Sequence, residues 1–203
     1  MLQSSINAYF ATLGSMADRM LATDSDGLPI AMERVFEDMI AKARLTHDAG
    51  NKLMFIGNGG SSTICSHMAE DFTKAANIRA MAFNDSAFLT CLGNDLGYDQ
   101  VFSKQIEMFA MPGDVLFAIS SSGNSANILN GVAAARKRGC TVVTLSGFGP
   151  DNKLRGLGDV NVYVPSGEYG FVEITHLAII HAMLDMALGW RAQPVAAPLR
   201  VHA

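Results

Sequence analysis

Two stretches rich in glycine and serine carry the clearest chemical signal in this 203-residue chain. They span residues 57–62 and 120–125, and each follows a short apolar run, at 53–56 and 115–119. A strand that passes into a helix through such a turn exposes unpaired backbone N–H groups and small hydroxyls, which can bind phosphate. Neither stretch has the lysine of a nucleotide-binding P-loop or the spacing of a dinucleotide fingerprint, so we expect no nucleotide cofactor. The pair predicts a phosphorylated small molecule as the ligand.

Titratable side chains form two further patterns, each with helical spacing. His67, Glu70 and Asp71 follow the first glycine-rich turn at positions three and four apart, so all three can share one face of a helix. Glu173 and His181 are about 80° apart around an ideal helix axis, and both can face one cleft. Nitrogen and oxygen atoms in this arrangement suit acid–base catalysis or a metal ion. Such residues more often belong to a solvated helix face or to the core, so each pattern alone is weak evidence for a site. The phosphate-type turns in the same chain strengthen the functional interpretation.

The rest of the chain must supply the scaffold that positions these side chains. Short, unbroken apolar runs predict five strands buried on both faces, at residues 53–56, 80–83, 115–119, 141–145 and 160–164. Helical stretches alternate with these runs. The alternation predicts an α/β fold, a doubly wound five-stranded parallel sheet flanked by helices.

Two amphipathic helices precede the first predicted strand. Apolar residues recur with helical spacing over 4–21 and again beyond Pro29, a residue that suits a first helical turn. We therefore expect residues 1–50 to form a helical extension that serves oligomerisation. Residues 51–190 would form the α/β domain and residues 191–203 a flexible tail.

Composition argues against several classes of partner. The formal net charge of −4 comes without a block of Lys or Arg, so neither nucleic acid nor an acidic membrane surface is expected to bind. We see no N-terminal leader pattern and no apolar segment near the ~20 residues of a membrane span, and we expect a cytoplasmic location. Cys65, Cys91 and Cys140 are odd in number and widely spaced, which predicts buried thiols rather than disulfides or a cysteine zinc site.

Several collinear motifs together resemble one known family. In chain order they are Gly-Asn-Gly-Gly-Ser at 57–61, His-x-Ala-Glu-Asp at 67–71, Gly-Asn-Asp-x-Gly-Tyr at 93–98, Gly-Asp-Val-Leu at 113–116, Ile-Ser-x-Ser-Gly-Asn-Ser at 119–125 and a Glu and a His at 173 and 181. Over nearly the whole chain they resemble the sugar isomerase (SIS) domain of phosphoheptose isomerases. The resemblance implies interconversion of sedoheptulose 7-phosphate and D-glycero-D-manno-heptose 7-phosphate, in bacterial heptose synthesis for lipopolysaccharide. It also implies a homotetramer with sites between subunits, often with zinc.

The resemblance assigns roles to particular residues. Substrate-binding positions fall on Asn58, Gly59, Gly60, Asp71, Asn94, Asp95, Ser120, Ser121, Ser122, Ser125 and Glu173. Metal positions, for one zinc ion per subunit, fall on His67, Asp71, Glu173 and His181. Isomerisation through a cis-enediol needs a base and an acid, and we assign these roles to Asp71 and His181.

Some positions depart from the family pattern. Asp71 stands where Glu is usual, and its shorter side chain would hold a base roughly 1.5 Å farther back. Glu173 stands where Gln is usual, and its charge would favour a divalent cation, or it could itself serve as the base. Gly170 and Phe171 replace an Asp-Arg pair. These departures leave open an isomerase of another phosphosugar, or a non-catalytic tetrameric protein that regulates replication initiation. A sugar-phosphate-sensing regulator is disfavoured, since no helix-turn-helix extension is visible.

Overall fold

One sheet with helices on both faces carries the two glycine- and serine-rich turns. The computed structural model describes residues 1–192. Its strands are β1 (Leu21–Asp24), β2 (Pro29–Ile30), β3 (Leu53–Gly57), β4 (Ala80–Ala82), β5 (Val115–Ser120), β6 (Thr141–Ser146) and β7 (Val160–Tyr163). Its α-helices are α1 (Leu2–Arg19), α2 (Met32–Asp48), α3 (Gly60–Lys74), α4 (Ser86–Leu96), α5 (Val101–Phe109), α6 (Ala126–Lys137) and α7 (Tyr169–Ala187). Two 3-10 turns span Tyr98–Gln100 and Lys153–Gly156.

The five predicted strands form the parallel part of this sheet. Strand order is β2-β1-β7-β6-β5-β3-β4, and the pairs from β7 to β4 are all parallel. Each of the five begins at its predicted residue and ends within one residue of its predicted end. β3 and β5 are neighbours, with Gly57 opposite Ile119. The two predicted phosphate-binding turns therefore leave the sheet side by side.

A hairpin that the sequence did not predict adds two antiparallel strands at one edge. β1 pairs with β7, placing Ala22 opposite Val162, and β2 pairs with β1. The expectation that Pro29 lies in a helical first turn is wrong, because Pro29 belongs to β2 and α2 begins only at Met32. An edge strand tolerates proline, since its missing N–H has no partner strand to bond.

Helices cover both faces of the sheet, which confirms the doubly wound arrangement. Leu53 and Phe55 of β3 point into a core formed with α1, α2, α3 and α7. Met54 and Ile56 point the other way, into a core formed with α4, α5 and α6. The alternation of a strand's side chains thus feeds two separate apolar cores.

α7 is more apolar than the sequence analysis allowed for. It has 19 residues and a mean hydropathy of 1.3 over its most apolar window, so by length and composition alone it could cross a membrane. Its composition has another explanation, because Val172, His176 and Ile180 are buried and the helix packs against α1, α2 and α3. It is a core helix that also carries Glu173 and His181. The predicted flexible tail lies, from residue 193 onward, outside the described residues.

The three cysteines are free, and two of them are buried as predicted. Burial raises the pKa of the Cys140 thiol to about 11 and also raises that of Cys65. The prediction is wrong for Cys91, which is exposed on α4 with its Sγ 3.6 Å from Asp95 Oδ2. In that helix only Leu92 is buried, and Cys91 lies on the solvent side.

Candidate active site

A cavity of about 270 Å³ opens where the turns after β3 and β5 meet. This serine cavity is lined by Asn58, Gly59, Gly60, Ser61, Ser120, Ser121, Ser122, Ser125, Tyr169 and Glu173. The structure thus brings the predicted residues of both turns around one space. Ser61 and Tyr169 are additions that the sequence analysis did not assign.

The second turn presents a hydroxyl that is ready for a ligand. Ser121 is 5% exposed, and its Oγ has no hydrogen-bond partner among the described residues. Ser120 Oγ accepts a hydrogen bond from the Gly123 N–H at 3.2 Å, which curls the turn. Gly123 has φ +63°, a conformation that glycine adopts without strain. A buried hydroxyl without a partner is costly, and an oxygen-rich ligand would satisfy it.

A neighbouring loop supports this turn from below. Asn152 donates from Nδ2 to the carbonyls of Gly149, at 2.9 Å, and Gly147, at 3.1 Å. Its side chain fills the space that any Cβ at Gly123 would need. The Leu154 N–H donates to the Gly123 carbonyl at 2.9 Å. These contacts hold the turn in one conformation before a ligand arrives.

Three titratable side chains from α3 and α7 form a compact His–Asp group. Asp71 Oδ2 lies 3.2 Å from His67 Nε2 and 3.7 Å from His181 Nδ1. The two imidazole rings are 5.0 Å apart between centroids and nearly perpendicular. One nitrogen or oxygen from each residue lies within 4.8 Å of the other two. The predicted acid, the predicted base and one further predicted metal ligand therefore meet at one place.

The serine cavity adjoins a smaller cavity that one member of the His–Asp group, His67, lines. Gly60 and Glu173 line both cavities, and the smaller one has a volume of about 170 Å³. The boundary is tight, because a Cβ at Gly60 would lie 2.7 Å from the Glu173 carboxyl carbon. A side chain at position 60 would therefore displace the Glu173 carboxylate. An anion in the serine cavity would lie next to groups that can move protons.

Comparison with known proteins gives this arrangement a family. A family model for the SIS domain matches residues 8–147. The phosphoheptose isomerase of Escherichia fergusonii is 37% identical over 144 residues, which are 68% of this chain and 74% of that protein. The chain belongs to the phosphoheptose isomerase family of SIS-domain proteins.

Solved structures of phosphoheptose isomerases share the fold. The enzyme GmhA from Neisseria gonorrhoeae superposes with a TM-score of 0.74 at 32% identity, covering 92% of this chain and 98% of that one. The Francisella tularensis protein gives a TM-score of 0.76 at 26% identity with the same coverage. The α/β fold and the assignment to a family of phosphosugar isomerases are thereby confirmed.

Glu173 lies apart from the other metal positions of the phosphoheptose isomerase pattern. It is outside the compact group of His67, Asp71 and His181 and lies against Gly60 at the serine cavity. It precedes His181 by eight residues, so about 12 Å of helix rise separates their backbones. Its carboxylate thus adds negative charge where the phosphate is expected.

Other titratable residues of α3 and α7 point away from the site. Glu70 forms an exposed pair with Lys74 at 3.4 Å. His176 is fully buried, and its Nε2 lies 3.1 Å from the Ser146 carbonyl oxygen. Burial lowers the pKa of His176 to about 4, so it is neutral near pH 7. His176 therefore serves the core rather than the chemistry.

Asn94 and Asp95 lie outside both cavities in this chain. Both are exposed near the end of α4, where Asn94 Nδ2 donates to Asp95 Oδ1 at 2.8 Å. Their assignment as sugar contacts remains a prediction. The next segment does reach the site, since the Tyr98 hydroxyl donates to Asn58 Oδ1 at 3.2 Å.

Three site residues escaped the sequence analysis. Tyr169 lines the serine cavity and has its ring centroid 4.8 Å from that of Phe148. Ser61 lines the same cavity, and Asn127 pairs with Asn58. Ser61 belongs to the first glycine-rich turn, so its position in the sequence could have predicted it. No local pattern marks Tyr169 or Asn127, because the residues they contact are distant along the chain.

The donor set fits a divalent metal of the zinc type. Two imidazole nitrogens and a carboxylate oxygen are ligands that zinc accepts, and three protein ligands leave a position open to substrate. Among residues 1–192, one group of three or more His, Cys, Asp or Glu side chains is close enough to share one ion, namely His67, Asp71 and His181.

Proposed function

We propose that this phosphosugar isomerase converts sedoheptulose 7-phosphate to D-glycero-D-manno-heptose 7-phosphate through a cis-enediol. The observation that carries the proposal is that the serine cavity shares Gly60 and Glu173 with a smaller cavity lined by His67, which belongs to the His–Asp group. A substrate anchored there by its phosphate would extend its carbon chain toward Asp71 and His181. The 37% identity to a phosphoheptose isomerase supports a heptose phosphate as the substrate.

The proposed reaction moves protons between neighbouring carbon and oxygen atoms. Asp71 would take the proton from the carbon beside the carbonyl, and His181 would protonate the carbonyl oxygen as the enediol forms. His67 would hold the Asp71 carboxylate in position, since its Nε2 is 3.2 Å from Asp71 Oδ2. The serines grip the phosphate, so binding energy far from the reacting carbons orients the substrate.

A bound zinc ion is part of the proposal. His67, Asp71 and His181 would hold it, whereas Glu173, the fourth metal position that the resemblance implies, lies outside that group at the serine cavity. When bound, such an ion polarises carbonyl and hydroxyl oxygens of the substrate. Asp71 would then serve both as a ligand of the ion and as the base.

We further propose a cytoplasmic homotetramer with sites between subunits, acting in bacterial heptose synthesis for lipopolysaccharide. Exposed apolar residues on α1 support the oligomer, among them Leu2, Ile6 and Phe10. They neighbour an apolar groove between α1, α2 and α7. α7 also carries Glu173 and His181, so a subunit seated there would approach the site.

An isomerase of a different phosphosugar is the second candidate. A Cβ at Gly170 would lie 2.7 Å from the Tyr9 hydroxyl oxygen, and the Tyr9 ring packs against Phe171 with centroids 4.6 Å apart and planes tilted by 36°. α1 thus fills the place where the family resemblance expects an Asp-Arg pair. A non-catalytic role is less well supported, because His67, Asp71 and His181 are together.

The deciding experiment follows turnover of sedoheptulose 7-phosphate by purified, metal-analysed protein, with and without a chelator. We expect formation of the aldoheptose phosphate and its loss on chelation, restored by zinc. Parallel reactions with fructose 6-phosphate and ribulose 5-phosphate test the second candidate. No product from any of these sugars, with fold and oligomer intact, would contradict the isomerase proposal.

A further inference from the structure

A pair of side-chain amides links the two turns of the serine cavity. Asn58 follows β3 directly, and Asn127 lies in the first turn of α6, just beyond the serine-rich turn. Asn58 Nδ2 donates to Asn127 Oδ1 at 2.9 Å, and Asn127 Nδ2 donates to Asn58 Oδ1 at 2.8 Å. Asn127 is only 3% exposed, whereas Asn58 lines the cavity. Only Asn58 of the two can therefore meet a ligand.

The backbone determines which way both amides point. The Ile128 N–H is shared between Asn127 Oδ1, at 3.0 Å, and the Ser125 carbonyl, at 3.1 Å, and an N–H can face only an acceptor, so this atom of Asn127 is the oxygen. The atom of Asn58 that faces it must then be the nitrogen. The Tyr98 hydroxyl supplies a second donor to Asn58 Oδ1, at 3.2 Å. The orientation of the Asn127 amide thus fixes the orientation of the Asn58 amide.

Counting hydrogen-bond sites shows what Asn58 has left for a ligand. A carboxamide oxygen accepts two hydrogen bonds and a carboxamide nitrogen donates two. Asn58 Oδ1 already accepts from Asn127 and from Tyr98, so its acceptor sites are filled. Asn58 Nδ2 donates once, to Asn127, and its second N–H has no partner among residues 1–192. Asn58 thus offers the cavity a donor and no acceptor.

We infer that Asn127 is a positioning residue that fixes Asn58 as a hydrogen-bond donor to an acceptor oxygen of the bound phosphosugar. This inference rests on the proposed function for the identity of the sugar. It adds a specificity rule, since phosphate or carbonyl oxygens would be accepted opposite Asn58. A ligand group that can only donate would be rejected there, because no acceptor site remains to receive it.

A double-mutant cycle on Asn58 and Asn127 tests the inference. Dissociation constants for sedoheptulose 7-phosphate and for inorganic phosphate are measured by calorimetry with the metal chelated. Asn127→Leu is expected to weaken binding of at least one probe about fivefold to tenfold, the value of one hydrogen bond. In an Asn58→Ala background the same change should cost less than twofold, since its effect passes through Asn58. Loss for both probes would locate the acceptor on phosphate, and loss for the sugar alone would locate it on the sugar.

Matched controls separate positioning from simple destabilisation. Asn130→Leu removes a similar bond from the same helix, Nδ2 to the Asp99 carbonyl at 2.9 Å, and should leave both constants within twofold. If Asn127→Leu does not fold, Asn127→Ser replaces it in the cycle. Unchanged affinity for both probes, or losses that simply multiply in the double variant, would overturn the inference. Phosphate binding without binding or turnover of the heptose would reject the proposed sugar and leave the cycle valid. A wild-type protein that binds neither probe would reject both.

Discussion

Asp71 presents one carboxylate oxygen to two imidazoles, and this geometry decides its proposed role. Oδ2 is 3.2 Å from His67 Nε2 and 3.7 Å from His181 Nδ1, so a single atom lies between the orienting and the acidic residue. Replacing it by an amide keeps the shape and removes the base. Asp71→Asn is therefore expected to lower kcat by about a hundredfold or more, the usual share of general acid–base catalysis. Steady-state kinetics with sedoheptulose 7-phosphate measures the loss.

The preceding residue offers a matched control for Asp71. Glu70→Gln changes a carboxylate on the same helix that is exposed and paired only with Lys74, so kcat should stay within twofold. Equal melting temperatures for the three proteins would show that the fold is unchanged. Near-normal turnover in Asp71→Asn would contradict the assignment. Glu173→Gln would then become the variant to examine.

Residues that act through local spacing were predictable, and those that act through distant partners were not. His67 and Asp71 are four apart on one helix, so their proximity follows from helical geometry. Asn127 was missed because its partner lies 69 residues away, and nothing in its local sequence marks it. Glu173 was expected among the metal ligands, but helix rise separates it from His181.

At the scale of elements, apolar runs predicted the parallel strands well and the hairpin not at all. A strand covered on both faces must be apolar throughout, and that pattern is visible in the sequence. β1 is an edge-side strand in which only Ala22 is buried, so it lacks this pattern. Its existence depends on pairing with β7, nearly 140 residues later in the chain. A tertiary contact therefore determines the structure of a segment whose local sequence resembles a helix end followed by a turn.

A buried carboxylate braces the amino ends of β3 and β5. Asp114 is fully buried and accepts hydrogen bonds from the Lys52 N–H, Asn51 Nδ2 and the Met111 N–H, and from Lys52 Nζ at 2.6 Å. Burial alone would raise the pKa of Asp114, but these four bonds outweigh it, so the pKa lies below its ordinary value. The brace thus stabilises the fold most when Asp114 is ionised.

The brace makes a prediction about stability and pH. Asp114→Asn is expected to lower the free energy of unfolding by about 2–4 kcal/mol near pH 7, since it removes the carboxylate partner of Lys52 and leaves its Nζ only the Phe109 carbonyl. Because the folded pKa is depressed, the wild-type advantage is complete above the unfolded pKa of about 3.9 and fades as pH falls below it. Urea unfolding of both proteins from pH 7 to pH 3 measures this. Asp38→Asn, at an exposed pair with Arg34, should cost less than about 1 kcal/mol at every pH. Equal free energies of unfolding for Asp114→Asn and wild type at pH 7 would contradict the brace.

At the scale of the whole molecule, one side of the chain carries an apolar groove. The groove of about 410 Å³ between α1, α2 and α7 has an almost wholly apolar lining that includes Met16, Ile179 and Met186. Exposed apolar residues of α1 extend the same side, with Phe10 66% exposed. Apolar patches of this kind commonly mark protein interfaces. Because α7 forms one wall of the groove and also carries the catalytic candidates, assembly and activity are expected to be coupled.

A charge at Phe10 tests that coupling. We expect wild-type protein to run as a tetramer by light scattering, and Phe10→Glu to shift the mass toward dimers or monomers, because burying an unpaired carboxylate in an apolar interface is costly. Turnover should fall with the mass and recover at high protein concentration, since the site is proposed to lie between subunits. Met108→Glu is the control, as Met108 is also exposed, at 53%, but lies on α5, which packs on the opposite core. A tetramer unaffected by Phe10→Glu would place the interface elsewhere. A monomeric wild-type protein with full turnover would show that one chain holds the complete site.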